Sequence, residues 1–255
     1  HSSKRVHGYR ESTTTNILMH IAQLKLKQDK TYEALDLFKE IHDILTKTKG
    51  KKDVEAVKVL LNIADLRFQI NQTHEGQNII QKILNDMEGR TRSEAALLHN
   101  EVGNVLRHAG RINESIQYYQ SSQKLYEQAG ETLVPELASV HDNLGNAYLD
   151  LSLYNEALLH FERALAVQQD IYAAKSLNLA KYHYNFVRLF KKQKRLGDLR
   201  DSLAALLRIY DANYGRNNEY SNSVRHELEI LERNLSGRTS QSLLNATRSS
   251  RFIRQ

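Results

Sequence analysis

Cysteine is absent from the 255 residues, so disulfides, thiolate metal sites and sulfur nucleophiles are excluded. One proline and eleven glycines are too few for a collagen-like or proline-rich polymer. A composition that is 40% hydrophobic and 26% charged excludes a wholly disordered chain. No run approaches the ~20 consecutive apolar residues of a membrane span, and the start HSSKRVHGYRESTTT holds no hydrophobic signal core. A soluble, cytoplasmic protein with no membrane insertion is expected.

The net charge of +6 is concentrated at the two ends. Lys4, Arg5 and Arg10 against Glu11 make the start basic, and Arg238, Arg248, Arg251 and Arg254 face no acid after Leu235. The body from Ser12 to Leu235 is left with equal numbers of basic and acidic side chains. A duplex-binding body gathers Lys and Arg on one face to neutralise several phosphates. Nucleic acid is therefore not the expected partner.

Between Ser12 and Leu235 apolar residues recur at three- and four-residue spacing, which indicates helix throughout. Glycines at 50, 89, 110, 130 and 215 follow these periodic runs, where a left-handed C-terminal residue is expected. Pro135 sits just inside the next run, as a helix start allows. The punctuation divides the chain into an N-terminal arm at 1–12 and five helix pairs, at 13–50, 53–89, 92–130, 135–174 and 177–215. A capping helix at 219–235 and a basic Ser/Arg-rich tail at 236–255 follow, the capping stripe being Val224, Leu228, Leu231 and Leu235.

The helix pairs superimpose. The clearest copy runs His141-x2-Leu144-Gly145-x2-Tyr148 and then Ala157-x3-Phe161-x2-Ala164, which resembles the tetratricopeptide pattern W-x2-L-G-x2-Y…A-x3-F. It departs at His141, where the family often has Trp, and at Gln169, where it often has Pro. Positions equivalent to Gly145 are Ala22, Ala64, Gly103 and Val187, at separations of 42, 39, 42 and 42 residues along the chain. The second small position falls at Ala34, Gly76, Ser115, Ala157 and Leu199, and the bulky one at Phe38, Ile80, Tyr119, Phe161 and Leu203. Two helices cross closely only where each offers a small residue, so small is expected to face small with the bulky residue alongside. Val187 and Leu199 make the fifth copy degenerate, with a wider crossing or a decay toward the cap. A period near 42 exceeds the usual ~34 by roughly 12 Å of helix. Long arms resemble kinesin light chain repeats, whose glycine-containing linker is echoed by YDANYGRNNEYSNSV. The string NLGNAY at Asn143 to Tyr148 resembles adaptors of the Pins type.

That resemblance implies an all-α, right-handed superhelical solenoid of about five helix-turn-helix repeats plus a C-terminal capping helix. It also implies a concave face lined by the first helix of each pair. Solvent-facing positions there are amide-rich: Asn62, Asp65 and Gln69, then Asn100, Asn104, Arg107 and His108, then Asn143, Asn146 and Asp150. Repeat five adds Tyr184, Asn185, Arg188, Lys191 and Lys192. A carboxamide can bond both the donors and the acceptors of an extended peptide, so an Asn ladder is a sequence-tolerant backbone clamp. The cations favour an acidic segment opposite repeats three to five. A non-catalytic adaptor or scaffold holding a partner's peptide is the expected function, with self-association left open. The competing class is a regulatory or sensor module switched by a ligand or by its own C-terminal tail, which would dock through Leu243, Leu244, Phe252 and Ile253.

Enzyme signatures are missing. There is no G-x-S-x-G, phosphate loop or G-x-G-x-x-G, and His74-Glu75 is followed by Gly76-Gln77-Asn78 rather than a second metal-binding histidine. Neither catalysis nor a cofactor is expected. His99, His141 and His183 share one repeat position. Successive copies are separated by two helix-packing distances of ~8–10 Å, while nitrogens on one zinc lie only ~3–4 Å apart. Each ring is expected to fill the Trp site, with one polar tip bonded. Glu156 and His160, at i and i+4, read as a surface pair.

Overall fold

A computed structural model describes residues 2–131 and 134–252, with side chains described for residues 13–131 and 134–236. Every regular element among the described residues is helical. Two compact units divide the chain, His1–Thr132 and Leu133–Gln255. The first contains α1 (Ser2–Lys27), α2 (Thr31–Lys49), α3 (Val54–Gln69), α4 (Thr73–Asn85), α5 (Arg92–His108) and α6 (Ile112–Gln128). The second contains α7 (Pro135–Asp150), α8 (Tyr154–Ile171), a 3-10 turn (Leu177–Leu179), α9 (Ala180–Gln193), α10 (Leu196–Tyr214) and α11 (Glu219–Phe252). Within each unit consecutive helices pack as antiparallel pairs, α1 with α2 through α9 with α10, and first helices meet first helices, as α3 meets α5 and α7 meets α9. The fold class is the all-α solenoid of the tetratricopeptide type.

The helix pairs close through contact between a small residue and a ring. A methyl group at Gly103 would lie 2.5 Å from the Tyr119 ring, and one at Gly145 would lie 2.5 Å from the Phe161 ring. Both rings are fully buried. The expectation of small facing small therefore needs amendment, because the bulky residue of the second helix covers the glycine itself. Without a Cβ the helix backbone is open to a flat ring, and dispersion contacts fill the space. At Gly76 the expected geometry is closer to what is found: an added methyl would lie 2.8 Å from the Phe68 ring and 3.1 Å from the Ala64 carbonyl.

Local signals stop and start the helices. Gly110 takes φ +77, its N–H donating to the Arg107 carbonyl at 3.0 Å while Arg111 N–H reaches the Leu106 carbonyl at 2.9 Å. That pair of bonds is a Schellman ending. Asp29, Asn71, Ser152 and Lys194, at φ 58, 61, 60 and 56, hold the same repeat position and end their helices in the same way. Asp53 Oδ1 accepts from Glu55 and Ala56 N–H at α3, and Thr91 and Glu94 form a reciprocal capping box at α5. Pro135 occupies the first turn of α7.

In the second unit Val187, Leu199 and Leu203 pack with Phe186 and Phe190. The stripe Val224, Leu228, Leu231 and Leu235 of α11 covers that cluster. As backbone, α1 begins at Ser2 and α11 continues to Phe252, so helix enters stretches whose composition reads as an arm and a tail. Neither stretch has a proline to stop it, and poverty in apolar residues bears on core formation more than on backbone state. The side chains of Leu243, Leu244 and Phe252, and all of Ile253, lie outside the described residues.

Candidate functional site

In the first unit the amide-rich face of α3 and α5 is only partly free. Asn62 is exposed. Asp65 Oδ2 accepts from Gln69 Nε2 at 3.2 Å and pairs with His108 Nδ1 at 3.4 Å, joining the two helices. The hydrogen bond that His108 donates to Asp65 raises the His108 pKa above its ordinary value against the opposing cost of burial. Asp65 Oδ1 is buried and has no hydrogen-bond partner among the described residues. Asn104 is engaged on both sides, donating to Glu101 Oε2 at 3.2 Å and accepting from the Tyr119 hydroxyl at 2.9 Å. Asn100 is buried, and Arg107 is half-buried.

In the second unit the corresponding residues of α7 and α9 form one connected network. Asn185 Nδ2 donates to Asp142 Oδ1. Arg188 Nη1 donates to Asn146 Oδ1 at 2.6 Å and to Asn185 Oδ1 at 3.3 Å. Asn146 Nδ2 donates to the Asp142 carbonyl at 2.8 Å, and Lys181 Nζ lies 3.8 Å from Asp142 Oδ2. Asn100, Asn146 and Asn185 were expected to face solvent, and their exposures are 8%, 8% and 6%. A first helix with a neighbour on its flank keeps only a narrow wet strip, so residues one turn off that strip are covered. Asn143 is half-buried, and Tyr184 and Lys192 are exposed. Lys191 is not free to receive a partner's acid, because its Nζ lies 2.5 Å from Glu227 Oε1 on α11.

Arg188 is half-buried and pairs with no carboxylate among the described residues. Two neutral amide oxygens hold its guanidinium, which fixes its direction without neutralising its charge. Lys181, Tyr184 and Arg188 share one face of α9 by i, i+3, i+7 spacing. Beside Tyr184 opens a cleft of about 400 Å³, walled by Tyr210 and Tyr214 of α10 and Tyr220 of α11. These three rings lie 5.5–5.9 Å apart. Tyr184, Tyr214 and Tyr220 are 52%, 44% and 57% exposed, so the aromatic surface is wet and available.

Of the repeat-position histidines His141 fills a core site, while His99 and His183 are half-buried. His141 and His160 are both buried, with Nδ1 atoms 3.1 Å apart, one donating to the other. Tyr148 stacks on His160 at 5.4 Å. Burial, with help from Arg163 and for His160 from His141, pulls both pKa values from 6.5 down to about 4. The reading of Glu156 and His160 as a surface pair is corrected: His160 turns inward with Ala157, Phe161 and Ala164 while Glu156 is exposed. His99 stacks on Tyr118 at 5.7 Å, and its Nδ1 lacks a partner among the described residues, contrary to the expected bonded tip. No cluster of three or more potential His, Asp or Glu metal ligands occurs among the described residues, and no described helix is long and apolar enough to cross a membrane.

Asp142, the hub of the α7–α9 network, escaped the sequence reading, as did Lys181 and the three tyrosines. Asp142 occupies the repeat position of Asn100, one residue before Asn143, so a register read for carboxylates as well as amides would have found it. The tyrosines lie in the glycine-containing linker and at i, i+4 before it, a spacing that places Tyr210 and Tyr214 together.

Residues 93–170 match the tetratricopeptide repeat family. The fold is similar to that of a Podosopora anserina putative kinesin light chain with nearly identical TPR-like repeats, with a TM-score of 0.61 at 14% identity, covering 78% of this chain and 96% of that one. It is also similar to BtubC (BKLC) from P. vanneervenii, with a TM-score of 0.53 at 13% identity over 90% of this chain and 92% of the other. The apo form of RapI gives 0.57 at 15% identity, covering 82% of this chain and 56% of RapI. No curated protein sequence matches the chain. The family match covers residues 93–170, and over most of the chain the fold is similar to that of TPR-like solenoids.

Proposed function

We propose that this protein is a protein-interaction adaptor that binds a peptide segment of a partner on the first-helix faces, with an acidic residue of that segment opposite Arg188. The observation that carries the reading is the half-buried guanidinium of Arg188, aimed by Asn146 and Asn185 and left without a carboxylate among the described residues. A partner carboxylate would complete a charge-assisted pair whose positioning the asparagines have already supplied. In this reading Asn146 and Asn185 orient the arginine and do not clamp peptide backbone. The cleft beside Tyr184 offers an apolar anchor within reach of the same face of α9. Tetratricopeptide-type solenoids present such open faces rather than enclosed catalytic pockets, which supports binding over catalysis.

The test is to pan a peptide library on the full chain and counter-screen the selected peptides on Arg188→Ala. Selected sequences are expected to share an Asp or Glu and to bind Arg188→Ala at least about tenfold more weakly. Peptides that lack an acid, or that hold Arg188→Ala equally well, would reject the assignment.

A further inference from the structure

A second, smaller cavity lies between α2, α3 and α4 of the first unit, with a volume of about 190 Å³. Two polar groups at its interior, Thr46 and Arg90, are half-buried. Thr46 Oγ1 and Arg90 Nε are shielded from solvent, and neither has a hydrogen-bond partner among the described residues. Leaving a buried donor unmet costs about 1–3 kcal/mol, so the pair points to an acceptor that the protein itself does not provide. The mouth is lined by Lys51 and Lys82 and by Asp43 and Asp86, all exposed. None of these four forms an ion pair among the described residues. The wall is aliphatic, made by Val57 and Ile83, which are 5% and 3% exposed, and by Leu60.

The frame is braced. Lys52 Nζ donates to the Glu88 carbonyl at 3.1 Å, tying the loop that carries Lys51 to the turn that carries Arg90. His42 Nδ1 is held by the Ala56 carbonyl at 3.0 Å, which fixes α2 against α3 beside the cavity. Val57 and Leu60 lie on a different side of α3 from Asn62 and Asp65 at 3.6 residues per turn, so the cavity is separate from the peptide face.

The charges select the ligand. A bare anion would meet Asp43 and Asp86, and also the C-terminal, negative ends of α2 and α4. A bare cation would meet Lys51, Lys82 and Arg90. A molecule carrying both signs satisfies every group. Its carboxylate accepts from Arg90 Nε and Thr46 Oγ1, its ammonium turns to Asp43, Asp86 and the helix ends, and a hydrocarbon side chain lies on Val57, Leu60 and Ile83. The volume corresponds to roughly six water molecules, which suits a small solute and not a folded partner. We propose that this cavity is a binding site for a small zwitterion of the α-amino acid class with an aliphatic side chain.

Calorimetric titration of the full chain with leucine tests the site, alongside 4-methylpentanoate, which lacks the ammonium, and isoamylamine, which lacks the carboxylate. Leucine is expected to bind saturably in the millimolar range or tighter, and each half-molecule about tenfold more weakly or worse. Thr46→Val and Arg90→Gln are each expected to weaken leucine about tenfold. Thr46→Val removes a buried hydroxyl that has no acceptor among the described residues, so it should leave the ligand-free melting temperature unchanged or raise it, and it keeps the test valid should Arg90→Gln unfold. Asp86→Asn is expected to weaken leucine while leaving 4-methylpentanoate as it was. No saturable leucine signal at millimolar concentration, 4-methylpentanoate binding as tightly as leucine, or Thr46→Val binding leucine like wild type would each overturn the proposal.

Discussion

Gly145 shows how a single missing methyl group organises a helix pair. An alanine in a helix interior normally gains about 1 kcal/mol over glycine, but here its Cβ would stand 2.5 Å from the Phe161 ring. Overpacking of that kind costs about 1–3 kcal/mol, so Gly145→Ala is expected to destabilise by about 1 kcal/mol net in denaturant melts, and by less when Phe161 is Leu. The His141–His160 pair carries the second prediction at this scale. Both rings hold folded pKa values near 4 against 6.5 unfolded. The unfolded chain therefore takes up protons first as pH falls, and stability present above about pH 6.5 is lost toward pH 4. At about pH 5 the loss is expected to be about 2 kcal/mol per ring relative to neutral pH. A fall in melting temperature from neutral to about pH 5 that is roughly halved in His160→Phe, where buried His141 still titrates, relative to wild type is the expected outcome. The positions of Gly103, Gly145, Tyr119 and Phe161 were legible from spacing, but not that each ring covers the glycine itself. His160 was misread because its i, i+4 partner Glu156 was weighed without the apolar neighbours Ala157, Phe161 and Ala164, which turn that stripe inward.

Helix ends recur as faithfully as helix faces. Asp29, Asn71, Gly110, Ser152 and Lys194 all take positive φ at one repeat position, yet only Gly110 announced it in the sequence. Asp and Asn tolerate the left-handed region through local hydrogen bonds, which makes them weak signals, and Lys gives none. Lys194 at φ 56 carries the steric cost of about 1 kcal/mol that glycine lacks. Lys194→Gly is therefore expected to raise stability by about 0.5–1 kcal/mol, measured by chemical denaturation; a loss would mean that the lysine side chain contributes more than its backbone costs. The first-helix faces were legible as amide-rich but not as networked. Asn104 and Asn146 share one repeat position and Asn143 and Asn185 another, as ladders would, and only the approach of α9 to α7 reveals that the oxygens of Asn146 and Asn185 serve Arg188.

For the chain as a whole, repetition was the most legible property, because a period near 42 residues survives even where signature residues do not. Its N-terminal end was the least legible, since the backbone of α1 begins at Ser2 where composition reads as an arm, whereas a helix extending the cap is the plainer reading of the tail and α11 continues to Phe252. Solenoids expose an apolar face at each end unless something covers it, and in the second unit Leu228, Leu231 and Leu235 of α11 cover Phe186, Phe190 and Leu203. Leu231→Asp is expected to cost about 3 kcal/mol or more and to raise amide exchange in α9 and α10 well above that of wild type. Equal exchange would show that α11 is dispensable to that core.

The central claim is that Asn146 and Asn185 aim an unneutralised Arg188 at a partner's carboxylate. A double-mutant cycle tests it most directly, crossing Arg188→Ala with replacement of the acidic residue by Ala in the tightest library-selected peptide. A coupling energy of about 1.5 kcal/mol or more is expected for a close, partly desolvated charge pair. Additive losses, within about 0.5 kcal/mol, would contradict the claim and return Arg188 to a purely structural role between α7 and α9.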